Sequence, residues 1–215
     1  MPRGRFLVLE GVEGAGKSTQ AKLLSGWLKE RGVAHLATRE PGGTGLGEAV
    51  RALVLDRTDV SLPVESELLL ILAARAAFVR DVVRPALARG EVVVSDRYDL
   101  STLAYQGWGR GIELEVVRRL NEFATGGLRP DLYLFLDVPF EEGSARQGRQ
   151  GKGRDRFEAE GATLLSRVYA GYLDLARSEE RVRRVEGTGT ADAVHQRVVD
   201  LLLAEFPETF PARSR

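Results

Sequence analysis

The sequence predicts an α/β fold in three layers, with a five-stranded parallel sheet flanked by helices. Three observations carry that prediction. Short apolar runs bounded by turn residues alternate with longer helical patterns, the βαβα order of a doubly wound domain. Two of the runs, VVVSD and LYLFLD, are almost continuously apolar, as strands buried on both faces must be. The stretch EGVEGAGKST, Glu10 to Thr19, is a glycine-rich loop set between the first apolar run and the first helical pattern.

The elements follow in order. RFLVL leads a strand over Phe6–Glu10, and a helix follows over Lys17–Arg31. A second strand is expected at Val33–Thr38, then helices at Leu46–Leu55 and Glu65–Leu87. The third strand is Val92–Asp96, followed by a helix at Leu114–Thr125 and a strand at Leu132–Asp137. The segment Gly143–Gly153 is too polar and glycine-rich for core and reads as a mobile loop, not a domain boundary. A helix at Glu158–Arg177, a strand at Val182–Glu186 and a helix at Ala191–Phe206 complete the pattern. No internal repeat or low-complexity linker interrupts it, so one domain over residues 1–215 is expected.

Composition narrows the class. The chain has 215 residues, 43% of them hydrophobic, enough for one domain with a real core. No apolar run approaches the roughly 18 residues a membrane helix needs, and MPRGRFLVLE passes into a strand pattern without a signal-peptide layout. The absence of cysteine excludes disulfides and thiolate metal sites and fits a cytoplasmic protein. A formal net charge of zero argues against a broad nucleic-acid surface.

Gly11, Gly16, Lys17 and Ser18 match G-x-x-x-x-G-K-S/T, the P-loop, in the strand–loop–helix context that gives the motif its meaning. Gly11, Gly14, Ala15, Gly16, Lys17, Ser18 and Thr19 would surround the phosphates of a nucleoside triphosphate. Backbone N–H groups and the start of the following helix supply positive potential there. Lys17 can bridge the β- and γ-phosphates, and the Ser18 hydroxyl can ligate Mg²⁺. The metal also needs a strand-end carboxylate. Asp96 and Asp137 both qualify; Asp96 is favoured, because Arg97 follows it directly while Asp137 runs into the helix-start signal Val138-Pro139.

A P-loop does not name the phosphate acceptor. TREPGGTGLGEAVR, from Thr38, and DRYDLSTLAYQGWGRG, from Asp96, would both lie at carboxyl ends of strands, where such sheets bind ligands. They bring Arg39, Arg51 and Arg97 toward the loop as planar donors for a second phosphate.

LEGVEGAGKSTQ, TREPGGT and DRYDLSTLAYQG, in this order and spacing, resemble the thymidylate kinases, from about Phe6 to at least Arg156. The resemblance implies transfer of the ATP γ-phosphate to dTMP with Mg²⁺, in dTTP synthesis, by a homodimer. It implies that Glu13 lies near the monophosphate sugar or its metal and that Glu40 and Pro41 border the acceptor pocket. It gives Arg51 and Arg97 to the dTMP phosphate, Arg75, Thr102 and Gln106 to the base, and Tyr105 to the ring and sugar. VEGT at Val185–Thr188 resembles the adenine-side loop. One position departs from the pattern: Ile71 stands where the family commonly stacks a phenylalanine on thymine. For the homodimer, Glu65–Leu87 is richer in Leu, Ala and Val than one buried face requires.

The lid is expected at about residues 143–156, with Arg149, Lys152, Arg154 and Arg156. Family members with glycine where this chain has Gly14 resemble it in carrying lid arginines. Arg149 is therefore expected to supply the catalytic cation, and an arginine substituted at Gly14 is expected to replace it in part. Two other readings stay open on the sequence: a kinase for another monophosphate (dUMP, UMP or AMP), and a nucleotide-gated switch. No N-K-x-D signature supports the switch, and no L-S-G-G-Q stretch supports a transport motor.

Overall fold

The five apolar runs become one parallel sheet: β1 Arg5–Glu10, β2 His35–Arg39, β3 Val92–Asp96, β4 Leu132–Asp137 and β5 Val182–Glu186, in the order β2-β3-β1-β4-β5. The computed structural model describes residues 4–57, 59–149 and 161–210. β4 is buried along its whole length, whereas the edge strands β2 and β5 alternate between buried or half-buried and exposed positions. Full burial of each Leu, Val or Phe in the central strands is worth about 1.5–3 kcal/mol. The sheet centre is therefore the rigid part of the molecule.

Helices α1 Lys17–Glu30, α2 Gly45–Arg51, α3 Val64–Phe78, α4 Arg84–Ala88, α5 Asp99–Thr102, α6 Leu114–Thr125, α7 Phe140–Arg149, α8 Ala162–Ser178 and α9 Ala191–Glu205 surround it. Most strand and helix bounds match the sequence reading within a residue or two. Three elements differ. The expected helix Glu65–Leu87 is broken by wider, π-helical turns at Val79–Val83, just before Pro85. Proline has no N–H, and its ring crowds the carbonyl four residues back. Residues 143–149, expected in a loop, form the second half of α7; the rest of the expected lid, residues 150–156 with Lys152, Arg154 and Arg156, lies outside the described residues. The segment after Arg97, for which no helix was expected, is α5 continued by π-helical turns at Leu103–Gly109.

Register places the site. Leu9 pairs with Asp96, and Asp96 with Arg39, so the carboxyl ends of β1, β3 and β2 stand level. Backbone bonds extend the ladder past the strands: Arg97 N–H donates to Leu9 (2.9 Å) and Glu40 N–H to Asp96 (2.9 Å). The phosphate loop, the Glu40 turn and the Arg97 turn therefore leave one edge of the sheet side by side. Among the described residues no helix is long and apolar enough to cross a membrane.

Candidate functional site: one cavity between a phosphate loop and an arginine turn

A cavity of about 300 Å³ opens over that edge. Gly14, Gly16, Lys17, Ser18 and Thr19 line it from the phosphate loop, Asp96 and Arg97 from the end of β3, and Gln147 from α7. Gly16 caps α1 in a left-handed conformation (φ 95°) with no side-chain cap, so the first N–H groups of the 14-residue helix remain available to an anion. Lys17 is 5% exposed and donates to the Gly11 and Val12 carbonyls at 3.0 and 2.8 Å, while Ala15 N–H closes the turn on Val12. Ser18 Oγ donates to Asp96 Oδ2 at 2.6 Å. The competing carboxylate, Asp137, accepts from Tyr169 (2.9 Å) and Arg184 (2.5 Å) and has no bond to Ser18.

Gly14 is pressed against α7. A Cβ there would lie 2.0 Å from the Gly143 carbonyl oxygen, at a φ of 72° that side chains rarely adopt. The expectation that an arginine at Gly14 could replace a lid arginine is overturned: its first carbon would displace α7 or the loop. Gly14→Arg is expected to lose both stability and at least about tenfold in turnover, since overpacking against backbone costs about 1–3 kcal/mol or more. Turnover at or above that of the wild type in a steady-state assay would contradict this contact.

Arg97 is the hub of the acceptor side. Its backbone is left-handed (φ 78°), rare for a non-glycine residue and a form of strain that collects at functional sites. Nη1 donates to Gly11 O (3.1 Å), Ser101 Oγ (3.0 Å) and Tyr172 OH (3.1 Å); Nη2 donates to Tyr105 OH (3.2 Å) and pairs with Glu13. The buried Glu10 carboxylate holds this turn. It accepts from the N–H groups of Tyr98 (2.9 Å) and Ser101 (3.2 Å), from Ser101 Oγ (2.7 Å) and from Tyr172 OH (2.9 Å). Burial pushes Glu10 up, against Arg97 and these donors. Burial also works to raise Glu13, but Arg97 and then Lys17 outweigh it and hold that carboxyl down at about 2.

The far wall is a second buried cation. Arg75, 2% exposed, donates through Nε to Glu40 Oε2 (2.7 Å), through Nη1 to Thr102 Oγ1 and Asn121 Oδ1 (both 2.6 Å), and through Nη2 to the Tyr98 carbonyl (2.9 Å); Nη2 also forms an ion pair with Glu40 Oε2 at 2.7 Å. Four of its five N–H groups thus donate to protein acceptors. Arg51 donates to the Pro41 carbonyl (3.2 Å), while Arg39 is half exposed and pairs with Glu48 (3.0 Å). Leu55 and Ile71 complete the apolar part of the lining.

Burial pushes Glu40 up to about 7 despite Arg75, and its Oε1 has no partner. Two carboxyls in one cavity are thus driven apart, Glu13 down and Glu40 up. Because the folded value of Glu40 lies above its ordinary 4.5, its contribution to stability is complete below that pH and is lost as pH rises through about 7. Glu40→Gln is expected to flatten the decline in Tm between about pH 5 and about pH 8. Melting curves of the variant that fall as steeply as those of the wild type would show that Glu40 does not titrate there.

The cavity brings together Glu13, Gly14, Gly16, Lys17, Ser18, Thr19, Glu40, Pro41, Arg51, Arg75, Asp96, Arg97, Thr102, Tyr105 and Gln106, drawn from five separate segments. Gly11 and Ala15 stand behind it as loop backbone. Arg149 ends α7, and its side chain lies outside the described residues. The Val185–Thr188 loop lies beside α7, where Arg146 donates to the Gly187 carbonyl (3.2 Å). Sequence reasoning missed Glu10, Ser101 and Tyr172. Glu10 carried a signal, as the carboxylate that closes the apolar run FLVL of β1; Tyr172, on α8, carried none.

Comparison with known proteins fits this geometry. The family model described as thymidylate kinase matches residues 9–198. The chain is 48% identical over 206 residues to the thymidylate kinase of Pseudomonas putida, covering 95% of this chain and 97% of that protein. It is 47% identical over 195 residues to that of Alkalilimnicola ehrlichii, covering 90% of each. Among solved structures, the crystal structure of thymidylate kinase from Ehrlichia chaffeensis superposes with a TM-score of 0.74 at 30% identity, covering 94% of this chain and 100% of that one. The match takes in the phosphate loop, the Glu40 turn and the Arg97 turn alike, and with them the chain belongs to the thymidylate kinase family.

Proposed function

We propose that this enzyme transfers the γ-phosphate of ATP to dTMP, giving dTDP and ADP for dTTP synthesis. The observation that carries the reading is the single cavity in which Lys17 and Ser18 face Arg97, Tyr105 and Arg51, a triphosphate seat and a monophosphate seat within reach of each other. Phosphoryl transfer needs little covalent help; it needs two phosphates held in line and a field of cations around the moving group. Lys17 and the start of α1 orient the donor phosphates, while Arg97 and Arg51 orient the acceptor phosphate. Arg149, the last residue of α7, is the one we assign to add charge as transfer proceeds. Tyr105, held by Arg97, fills the space beside the sugar, and Ile71 covers the base in place of an aromatic ring.

The Ser18 and Asp96 oxygens, 2.6 Å apart at the head of α1, suit Mg²⁺, a hard cation content with one or two protein oxygens beside phosphate and water. When bound it supplies charge neutralisation at the donor phosphates. Glu13, kept ionised by Arg97 and Lys17, lines the same cavity.

A homodimer is supported by apolar side chains exposed on adjacent helices: Leu69 (57% exposed) on α3, and Val116 (36%) and Phe123 (88%) on α6. A cytoplasmic location accords with the absence of cysteine.

The test is ADP production across a panel of monophosphates, with dTMP expected to give the highest kcat/KM. Preference for dUMP, UMP or AMP would replace the acceptor. Basal hydrolysis unchanged by any monophosphate would favour a switch.

A further inference from the structure

Gln106 lines the cavity but does not hold its own orientation. Its Nε2 donates to Glu67 Oε1 at 2.9 Å, and Glu67 is 1% exposed. Arg110 grips the same carboxylate, Nε to Oε1 at 3.2 Å and Nη2 to Oε2 at 2.9 Å. Glu67 comes from α3, whereas Gln106 and Arg110 come from the Leu103–Gly109 turns and the residue that follows them. A carboxylate only accepts hydrogen bonds, so the amide nitrogen of Gln106 must face it. The carbonyl oxygen, which has no partner among the described residues, is what remains for a ligand.

We infer that Glu67 is a positioning residue that fixes the hydrogen-bond polarity of the base site, so that Gln106 presents an acceptor and the base must present a donor. This rests on the acceptor reading above and deepens it. The pairing edge of thymine or uracil carries one donor, N3–H; cytosine has a lone pair at N3. A nucleotide anchored through its phosphate at Arg97 cannot slide by one ring position to offer its 4-amino group instead. Glu67 therefore selects 4-keto pyrimidines without touching them. A site built around one hydrogen-bonding partner rejects the analogue that lacks it far more strongly than an apolar pocket rejects a missing methyl group.

Glu67→Gln reverses the arrangement with almost no change in volume. Arg110 has only donors, so it captures the carbonyl of the new glutamine and turns its amide nitrogen toward Gln106. Gln106 then rotates and shows the cavity a donor. The readout is kcat/KM for dTMP, dUMP and dCMP, with KM for ATP and Tm measured alongside. The ratio of dTMP to dCMP is expected to fall by about 30-fold or more, the scale of one buried hydrogen bond left unmade, with KM for ATP unchanged. Gln106→Leu removes the carbonyl while leaving Glu67 with Arg110, and is expected to lower the same ratio even if Glu67→Gln folds poorly. Base ratios that stay at wild-type values in the folded variants would make Glu67 a purely structural residue and overturn the inference. The wild-type panel separates this from failure of the functional reading. Preference for dUMP over dTMP would sink the thymine assignment and leave the N3–H requirement standing; preference for dCMP or AMP, which lack that proton, would overturn the requirement itself.

Discussion

Replacing Lys17 with alanine is expected to lower kcat/KM by about 10³-fold or more, some 4 kcal/mol of transition-state stabilisation, with little change in Tm. The ammonium is buried in the loop between the Gly11 and Val12 carbonyls. Burial and then Arg97 push its pKa down, while Glu13, Asp96 and Glu10 favour its charged form; its place in the loop is where the donor phosphates would bind. Its loss removes charge at the point where negative charge develops. The fold should tolerate this. The Gly11 carbonyl keeps a donor in Arg97 (3.1 Å), and the Val12 carbonyl keeps the N–H of Ala15 (3.2 Å). The measurement is steady-state ADP release at saturating dTMP beside a thermal melt. Turnover within threefold of the wild type would remove the loop from the chemistry. A collapse in Tm would mean that the lysine holds the loop rather than the ligand.

The sheet was legible because its signals are local. VVVSD and LYLFLD announce buried strands by composition, and the strand–GxxxxGK–helix order places the loop at a carboxyl end. Resemblance then carried the acceptor residues, and fifteen of the predicted positions meet in one cavity. What stayed hidden depends on partners distant in the chain. The segment Asp99–Gly109 has no helical period strong enough to be read alone; its start is capped by Glu10, from β1, on the N–H groups of Tyr98 and Ser101. Helix α7 contains Gly143 and Gly148, poor helix formers, yet Gly143 is needed where the helix meets the loop: a Cβ there would lie 2.3 Å from the Glu13 carbonyl. The Glu67 carboxylate sits 39 residues from the amide it orients, a spacing no motif encodes.

Arg97→Lys is expected to lower kcat/KM for dTMP by about 10²–10³-fold, the cost of removing placed donors from an anion site, with KM for dTMP rising more than KM for ATP. Lysine keeps the charge but not the fork. Nη1 of Arg97 reaches Gly11, Ser101 and Tyr172 while Nη2 reaches Tyr105 and Glu13, and one ammonium cannot span both sets. Tyr105 then loses the hydrogen bond from Nη2 and the guanidinium lying 5.1 Å from its ring centroid, so the wall beside the sugar loosens as well. Arg97→Ala should differ in kind, because it also takes the cation from Glu13 and from the buried Glu10. Glu13 is held at about 2, below its ordinary 4.5, so its contribution to stability is present above that ordinary value and lost as pH falls through about 2. Without Arg97 that contribution shrinks. The Tm deficit of the alanine variant should accordingly be large near pH 7 and narrow toward about pH 3, as the unfolded chain takes up protons and the wild type gives up its advantage. The lysine variant should show a smaller deficit at both. Equal deficits at the two pH values would detach Glu13 from Arg97, and an unchanged KM for dTMP in Arg97→Lys would take the arginine out of acceptor binding.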